Sequence, residues 1–451
     1  MALSALSGAN PKDVLTSRST QIADQQVFNV RIPFEGAPVT NQRSSGRCWL
    51  FASTNVFRIA LMRRYGLESF ELSQAYLFFW DKLEKANFFL ESVIATAAAG
   101  EDLSGRLVQR LLADPASDGG QWDMVCNLVD KYGLVPHALY PDSWNAMASA
   151  TLNYVVVAKL REYALTLRQL LANPRTATTA ENLAATKQQM LREIHLVLVL
   201  MLGPPPSPSD PFAWTYQDAS GRARTVTKTP REFARDITPQ EAPLRTLLTP
   251  AAIASYVSLV HDPRHPALRL LTVDRLGNVV GGRGVTYVNV GMAALKAACA
   301  AMLAAGLPVF FGSDVGKFSS SASGVMDLDL VDYRLGFNVD LVGGMTKAQR
   351  LRVGESAMTH AMVLTAVHVE EEAAVEGGGG RGRKRTVRWR VQNSWGEGAG
   401  DKGWFVMSDR WMDEFVYQAV VDPRFLSREV RDVLKQDPIV LPLWDPMGSL
   451  A

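Results

Sequence analysis

Cys48 is the residue of this chain best placed to act as a nucleophile. It follows the polar stretch Asn41-Gln42-Arg43-Ser44-Ser45-Gly46-Arg47 and opens a run in which Trp49, Ala52, Val56, Ile59 and Ala60 recur at helical spacing. The spacing predicts a helix from Cys48 to about Tyr65, closed by Gly66. A thiol where loop becomes helix meets unpaired backbone N–H groups and the positive end of the helix dipole. Both favour the thiolate, which is the attacking form. A nucleophilic cysteine also needs a base, and the base needs a group to orient it. The other two cysteines read differently. Cys126 lies beside Val125 and Val129, and Cys299 near Leu295, Met302 and Leu303. Both are expected to be small buried hydrophobes.

Two segments far downstream carry a base and an orienting amide. One is Met358-Thr359-His360-Ala361-Met362-Val363-Leu364, the other Val391-Gln392-Asn393-Ser394-Trp395-Gly396. With the segment around Cys48 they resemble papain-like cysteine peptidases. The resemblance implies a Cys48 nucleophile, a His360 base, and an Asn393 that orients the imidazole. It implies that Gln42, six residues before the cysteine, helps the Cys48 N–H stabilise an oxyanion. Trp395 would shield the His–Asn contact from water. In Asp118-Gly119-Gly120-Gln121-Trp122, paired glycines allow a close backbone approach. In the papain-like family a Gly-Gly at this place offers backbone groups to an extended peptide, so Gly119 and Gly120 are expected to bind substrate.

The resemblance can be narrowed. Ser45 stands where the usual pattern has a disulfide-forming cysteine, and His360 follows Cys48 by 312 residues, against about 130–150 in secreted members. The flanking text, including Leu443-Trp444-Asp445-Pro446-Met447-Gly448, is similar to the bleomycin hydrolase family from near residue 10 to the last residue. That similarity implies a cytosolic aminopeptidase that removes N-terminal residues from peptides, deamidates bleomycin and opens homocysteine thiolactone. It implies a homohexamer with sites facing an internal chamber, and a C-terminal arm lying in the cleft. Residues 441–451 are apolar for a chain end, and such an end is ordered only when tied down. The Ala451 carboxylate is therefore expected to meet the α-ammonium of the substrate.

Composition sets the remaining bounds. With 451 residues, 47% hydrophobic and 20% charged, the chain reads as a folded soluble protein. Three cysteines argue against a disulfide framework and suit a reducing compartment. Lys plus Arg is 47 and Asp plus Glu is 45, which demands no nucleic-acid partner. Some members of the similar family bind nucleic acid, so a nucleic-acid-binding ring with incidental peptidase activity is the alternative reading. Its basic stretch here would be Arg381, Arg383, Lys384 and Arg385, which otherwise reads as a solvated hairpin tip. The first ten residues lack the basic region of a signal peptide, and no apolar run reaches the ~20 residues of a membrane span. A cytoplasmic protein is expected, with a mitochondrial form left open. His261 and His265 sit among prolines without a cysteine or carboxylate cluster, and Gly281-Gly282-Arg283-Gly284 lacks the residues of a phosphate loop. No metal or cofactor is expected.

The elements that must position these residues follow. Residues 11–40 read as a polar arm leading into an extended segment. Ser73 caps an aromatic helix bearing Tyr76, Phe79 and Trp80. Leu152, Val156, Leu160, Ala164 and Leu167 mark a helix broken at Asn173-Pro174. Thr178 and Glu181 read as the capping box of the next helix, which ends at Gly203 and carries His195 as a core or interface residue. The second half reads as antiparallel sheet, with a strand beginning at His360 and another ending at Asn393. The expected fold is α+β, a papain-like unit of helical half and sheet half with an inserted helical subdomain. The core would span roughly 11–144 and 285–440, the insertion 145–284, and the arm 441–451.

Overall fold

A computed structural model describes residues 2–172, 179–237, 253–371 and 384–450. Its centre is helix α1 (Cys48–Tyr65), in which every residue from Cys48 to Met62 is buried. A helix apolar on all sides must be enclosed on all sides. Each of its buried polar side chains makes at least one hydrogen bond to nearby chain. Ser53 and Thr54 donate to the carbonyls of Trp49 and Leu50, each at 2.7 Å. Asn55 donates to Thr40 Oγ1 at 3.1 Å, and Arg58 to the Pro38 carbonyl at 2.7 Å. Gly66 ends the helix at φ 63°, a left-handed turn that suits glycine.

Two helices enclose α1 on one side. Helix α2 (Gln74–Ala98) starts at Ser73, whose hydroxyl accepts the Tyr76 N–H as expected, but it runs far beyond Trp80. Helix α3 (Trp122–Tyr132) follows the Gly-Gly segment. Gly120 packs flat on the indole of Trp49, where a Cβ would stand 2.6 Å from the ring. That contact sets how close the Gly-Gly segment comes to the start of α1.

The other side of α1 meets a sheet. Its strands are β1 (Val257–Val260), β2 (Arg269–Val273), β3 (Thr286–Asn289), β4 (Val309–Ser313), β5 (His360–Glu371), β6 (Lys384–Gln392), β7 (Trp404–Ser408), β8 (Val416–Val421) and β9 (Ile439–Leu441). They lie in the order β9-β2-β3-β1-β8-β4-β5-β6-β7, extended by two short strands at 325–326 and 319–320. Most pairs are antiparallel, as expected. The pairs β1–β3, β2–β9 and β7 with Val325–Met326 are parallel. Strand β5 is central, buried from His360 to Val367, and α1 lies against it and β4.

Within residues 11–40 the polar arm carries helical turns before the extended segment, which includes a strand at Val30–Arg31. Short helices form at Pro11–Val14 and Arg18–Ala23, each started by a side-chain cap from Asn10 or Ser17. Helices α4 (Ala150–Ala172) and α5 (Ala180–Leu202) pack on α2 through the apolar stripe read from the sequence. Thr179 caps α5, its hydroxyl accepting the Asn182 N–H; Thr178, read from the sequence as part of the cap, lies outside the described residues together with Asn173, Pro174, Arg381 and Arg383. His195 is exposed on α5 with its ring edge toward Phe79 at 5.7 Å, so it is not a core residue. Residues 145–284 are not one helical excursion. After a hairpin of Phe212–Gln217 with Ala223–Lys228, strands β1 and β2 enter the main sheet before residue 284. Pairing with β8 and β9 holds them there, from Gln418 opposite Val260 and Ile439 opposite Leu271.

Candidate active site

Cys48 is the first residue of α1 and is 2% exposed. Its thiol receives the backbone N–H groups of Ala361 and Trp49. Ala361 directly follows His360 on β5, so the seam between helix and sheet brings nucleophile and base segments together. Burial pushes the Cys48 thiol up, to about 11, and outweighs those N–H groups. Desolvation of the enclosed sulfur thus opposes the preference for thiolate expected at a helix N-terminus. Cys126 and Cys299 are pushed to about 12, also by burial, and neither has the neighbouring imidazole segment.

His360 Nε2 lies 2.8 Å from Asn393 Oδ1. The same oxygen accepts the Ser394 N–H at 2.8 Å. An atom that accepts a backbone N–H is the carbonyl oxygen, so Nε2 must be the donor and carries the proton. Nδ1 of the neutral ring is left as the base. The Trp395 ring lies 4.9 Å from the imidazole and covers it. Burial lowers the imidazole to about 4, against the opposing effect of the Asn393 contact. Burial thus disfavours a charge on either group taken alone. Proton transfer between them creates both charges at once, and their attraction offsets part of the desolvation that each would suffer alone.

Gln42 belongs to the same group. Its N–H donates to the Ser394 carbonyl at 2.8 Å, and its Oε1 accepts the Ser394 hydroxyl at 2.7 Å. Its Nε2 donates to the Ser45 carbonyl at 2.7 Å, which leaves one amide hydrogen of the side chain. The loop to Cys48 is anchored further by Arg47, fully buried. Its guanidinium holds Asp142 by two bonds of 2.8 and 2.9 Å and lies over the rings of Phe51 and Phe78.

Gly119 and Gly120 approach the start of α1 through Trp49, whose indole N–H donates to the Asp118 carbonyl at 2.7 Å. The Gly119 carbonyl is taken by Lys85 Nζ at 2.6 Å. Both glycines are buried. Ala451 lies outside the described residues. Ser449, two positions earlier, spans the two halves. Its carbonyl accepts Gln121 Nε2 at 2.9 Å, and its hydroxyl donates to the Met358 carbonyl at 2.7 Å. Gln121 and Ser394 carried no role in the sequence reading. The only signal was adjacency, Gln121 to the Gly-Gly pair and Ser394 to Asn393.

Helix and sheet packed with a thiol and an imidazole at their seam form the papain-like arrangement of a cysteine peptidase. The model of the Peptidase C1-like family matches residues 1–448, and the chain belongs to that family. It is 42% identical to bleomycin hydrolase of Homo sapiens, over 97% of this chain and 92% of that protein. It is 42% identical to the protein named cysteine proteinase 1, mitochondrial, of Saccharomyces cerevisiae (strain YJM789), over 100% of this chain and 89% of that one. The crystal structure of PepW from Lactobacillus rhamnosis superposes with a TM-score of 0.89 at 39% identity, covering 100% of this chain and 94% of that one. The chain is a bleomycin-hydrolase-like cysteine peptidase. Among the described residues no helix is long and apolar enough to cross a membrane.

The His360 environment has a measurable consequence. An unfolded histidine titrates near 6.5, so between pH 6.5 and 4 the unfolded chain binds the extra proton. The contribution of a neutral His360 is fully present above pH 6.5 and is lost as pH falls toward 4. Urea unfolding at pH 7 and pH 5 should show the native chain losing about 2 kcal/mol more than His360→Gln across that interval. Equal losses in the two proteins would contradict a buried neutral imidazole.

Proposed function

We propose that the protein is an aminopeptidase working through Cys48, His360 and Asn393. The observation that supports the reading is Ser449, whose carbonyl accepts Gln121 Nε2 and whose hydroxyl donates to the carbonyl of Met358, two residues before His360. His360 Nδ1 takes the Cys48 proton as sulfur attacks the scissile carbonyl. The Cys48 N–H and the remaining Gln42 amide hydrogen face the oxygen that becomes negative. Collapse of the tetrahedral intermediate breaks the C–N bond, and the imidazolium protonates the departing amine. Water, deprotonated by His360, then hydrolyses the thioester and restores the thiol. Asn393 keeps the ring in the tautomer that this cycle needs, and the Gly120 backbone pairs with the extended substrate.

The chain end supplies the choice of substrate. Ala451 follows Ser449 closely enough for its carboxylate to meet a free α-ammonium in the cleft. Such a charge-assisted contact contributes about 1.5–3 kcal/mol, and the same segment blocks longer N-terminal extensions. The carboxamide of bleomycin and the thioester of homocysteine thiolactone are open to the same sulfur attack. Exposed apolar residues on α4 and α5, including Tyr154 and Leu200 at 75% each, support association of copies into a homohexamer.

Cys48→Ala should lower hydrolysis of an aminoacyl-coumarin amide roughly a thousandfold or more while leaving the melting temperature in place. Iodoacetamide should label Cys48 in the native protein. Activity that survives in the variant, or labelling of Cys126 or Cys299 instead, overturns the assignment. Deleting residues 448–451 should weaken cleavage of free-amine substrates about tenfold or more and admit N-acetylated peptides. A truncated enzyme that keeps its full rate and still refuses them places the gate elsewhere. Light scattering at micromolar concentration should give six chain masses; a mass of one chain rules out the hexamer.

A further inference from the structure

Asp118 occupies an unusual position for a residue outside the reacting group. Its side chain is buried, and both oxygens are fully engaged. Oδ2 accepts the Gly46 N–H at 3.0 Å and the Ser149 hydroxyl at 2.5 Å. Oδ1 accepts Asn153 Nδ2 at 2.9 Å and pairs with Lys82 Nζ at 2.7 Å. Gly46 stands two residues before Cys48, in the loop that presents the oxyanion donors. Asp118 itself leads directly into Gly119 and Gly120, and its carbonyl takes the Trp49 indole N–H. Asp118 thus joins the oxyanion loop and helix α4 through its carboxylate, and the start of α1 through its main-chain carbonyl, and it leads into the Gly-Gly segment. A Cβ on Gly46 would stand 2.8 Å from Asp118 Cβ, so the Gly46 backbone lies directly against the Asp118 side chain.

We propose that Asp118, paired with Lys82, is a positioning residue that sets the oxyanion loop against the Gly-Gly segment during peptide-bond hydrolysis. The proposal rests on the reading of Cys48 as nucleophile. Lys82 is fully buried on α2 and donates also to the Ala116 carbonyl at 2.6 Å, so its ammonium is held beneath the segment between that carbonyl and Asp118. Burial alone would raise the Asp118 carboxyl, but Lys82, Ser149 and the Gly46 N–H hold it well below the usual carboxylate range. It is therefore an anion at every working pH, and its four donors stay engaged. The segment itself has a second anchor. Lys85 Nζ takes the carbonyls of Ser117 at 2.8 Å and Gly119 at 2.6 Å and pairs with Asp81 at 2.6 Å. Loss of Asp118 consequently frees the loop more than the segment. The oxyanion exists only in the transition state, so the effect falls on kcat rather than on KM.

Asp118→Asn tests this with almost no change of shape. Each carboxylate oxygen faces two donors, so the amide nitrogen confronts two donors whichever way it turns. The full-length variant and Ser149→Ala are assayed with an aminoacyl-coumarin amide, with iodoacetamide, and by thermal melting. Alkylation needs the sulfur but not the oxyanion donors. Asp118→Asn should lower kcat about tenfold or more, hold KM within about threefold, and leave the Cys48 alkylation rate undiminished. Ser149→Ala, which removes one donor from Oδ2, should lower kcat about threefold with the same pattern. An unchanged kcat in a folded Asp118→Asn protein overturns the role, as does a parallel fall of kcat and alkylation. If Asp118→Asn does not fold, Ser149→Ala decides: a selective fall in kcat supports the role and an unchanged kcat ends it. Label on Cys126 or Cys299 in the native protein removes the nucleophile reading and this role with it. Label on Cys48 with unchanged kcat removes this role alone.

Discussion

Enclosure of helix α1 is the constraint on which the rest of the molecule depends. With residues 48–62 all buried, the helix has no freedom to shift relative to α2, α3 or β5. Its first residue is therefore delivered to one place, against the N–H of Ala361. Interiors packed at crystal-like density transmit displacement rather than absorb it. A nucleophile on such a helix is positioned by the whole core, and the loop before it must be tied as firmly as the helix is packed. Asp118 and Asp142 do this at Gly46 and Arg47.

The same enclosure sets the electrostatics. Removing water raises the Cys48 thiol and lowers the His360 imidazole, so a charge on either alone is disfavoured. When a proton crosses between them, each product charge stabilises the other. Ion pairs lie one layer away: Asp118 with Lys82, Asp142 with Arg47, Asp81 with Lys85. Breaking one buried pair leaves an uncompensated charge, typically at a cost of about 3–5 kcal/mol. The network is thus fixed in composition as well as in place.

The far end of the chain is tied to the rest of the molecule at several points. Strand β9 adds Ile439–Leu441 to the sheet edge beside β2. Arg106 stacks over Trp444 at 4.4 Å, and Arg264 pairs with Asp445 at 2.7 Å. These contacts fix the path that Ser449 completes between the two halves. The tail is ordered because it is paired, stacked and bonded along its length, as an apolar end requires.

Much of this was legible in the sequence because it is local. The helix that begins at Cys48 and ends at Gly66 follows from apolar spacing and a left-handed terminus. The caps at Ser73 and Thr229 and the strands at His360 and before Asn393 are likewise written in neighbouring residues. The grouping of Gln42, Cys48, His360 and Asn393 was legible only through resemblance, since nothing local joins residues 312 apart. Tertiary structure alone decided three things. It placed β1 and β2 in the main sheet, because strand pairing with β8 and β9 outweighs position in the chain. It made the thiol a weak acid, because a helix dipole reads from the sequence but the depth of burial does not. It brought Asp118 under Gly46 and Ser449 between Gln121 and Met358, contacts across 72, 328 and 91 residues. Short-range propensity sets which elements form; the exclusion of water and the pairing of distant polar groups set what those elements can do.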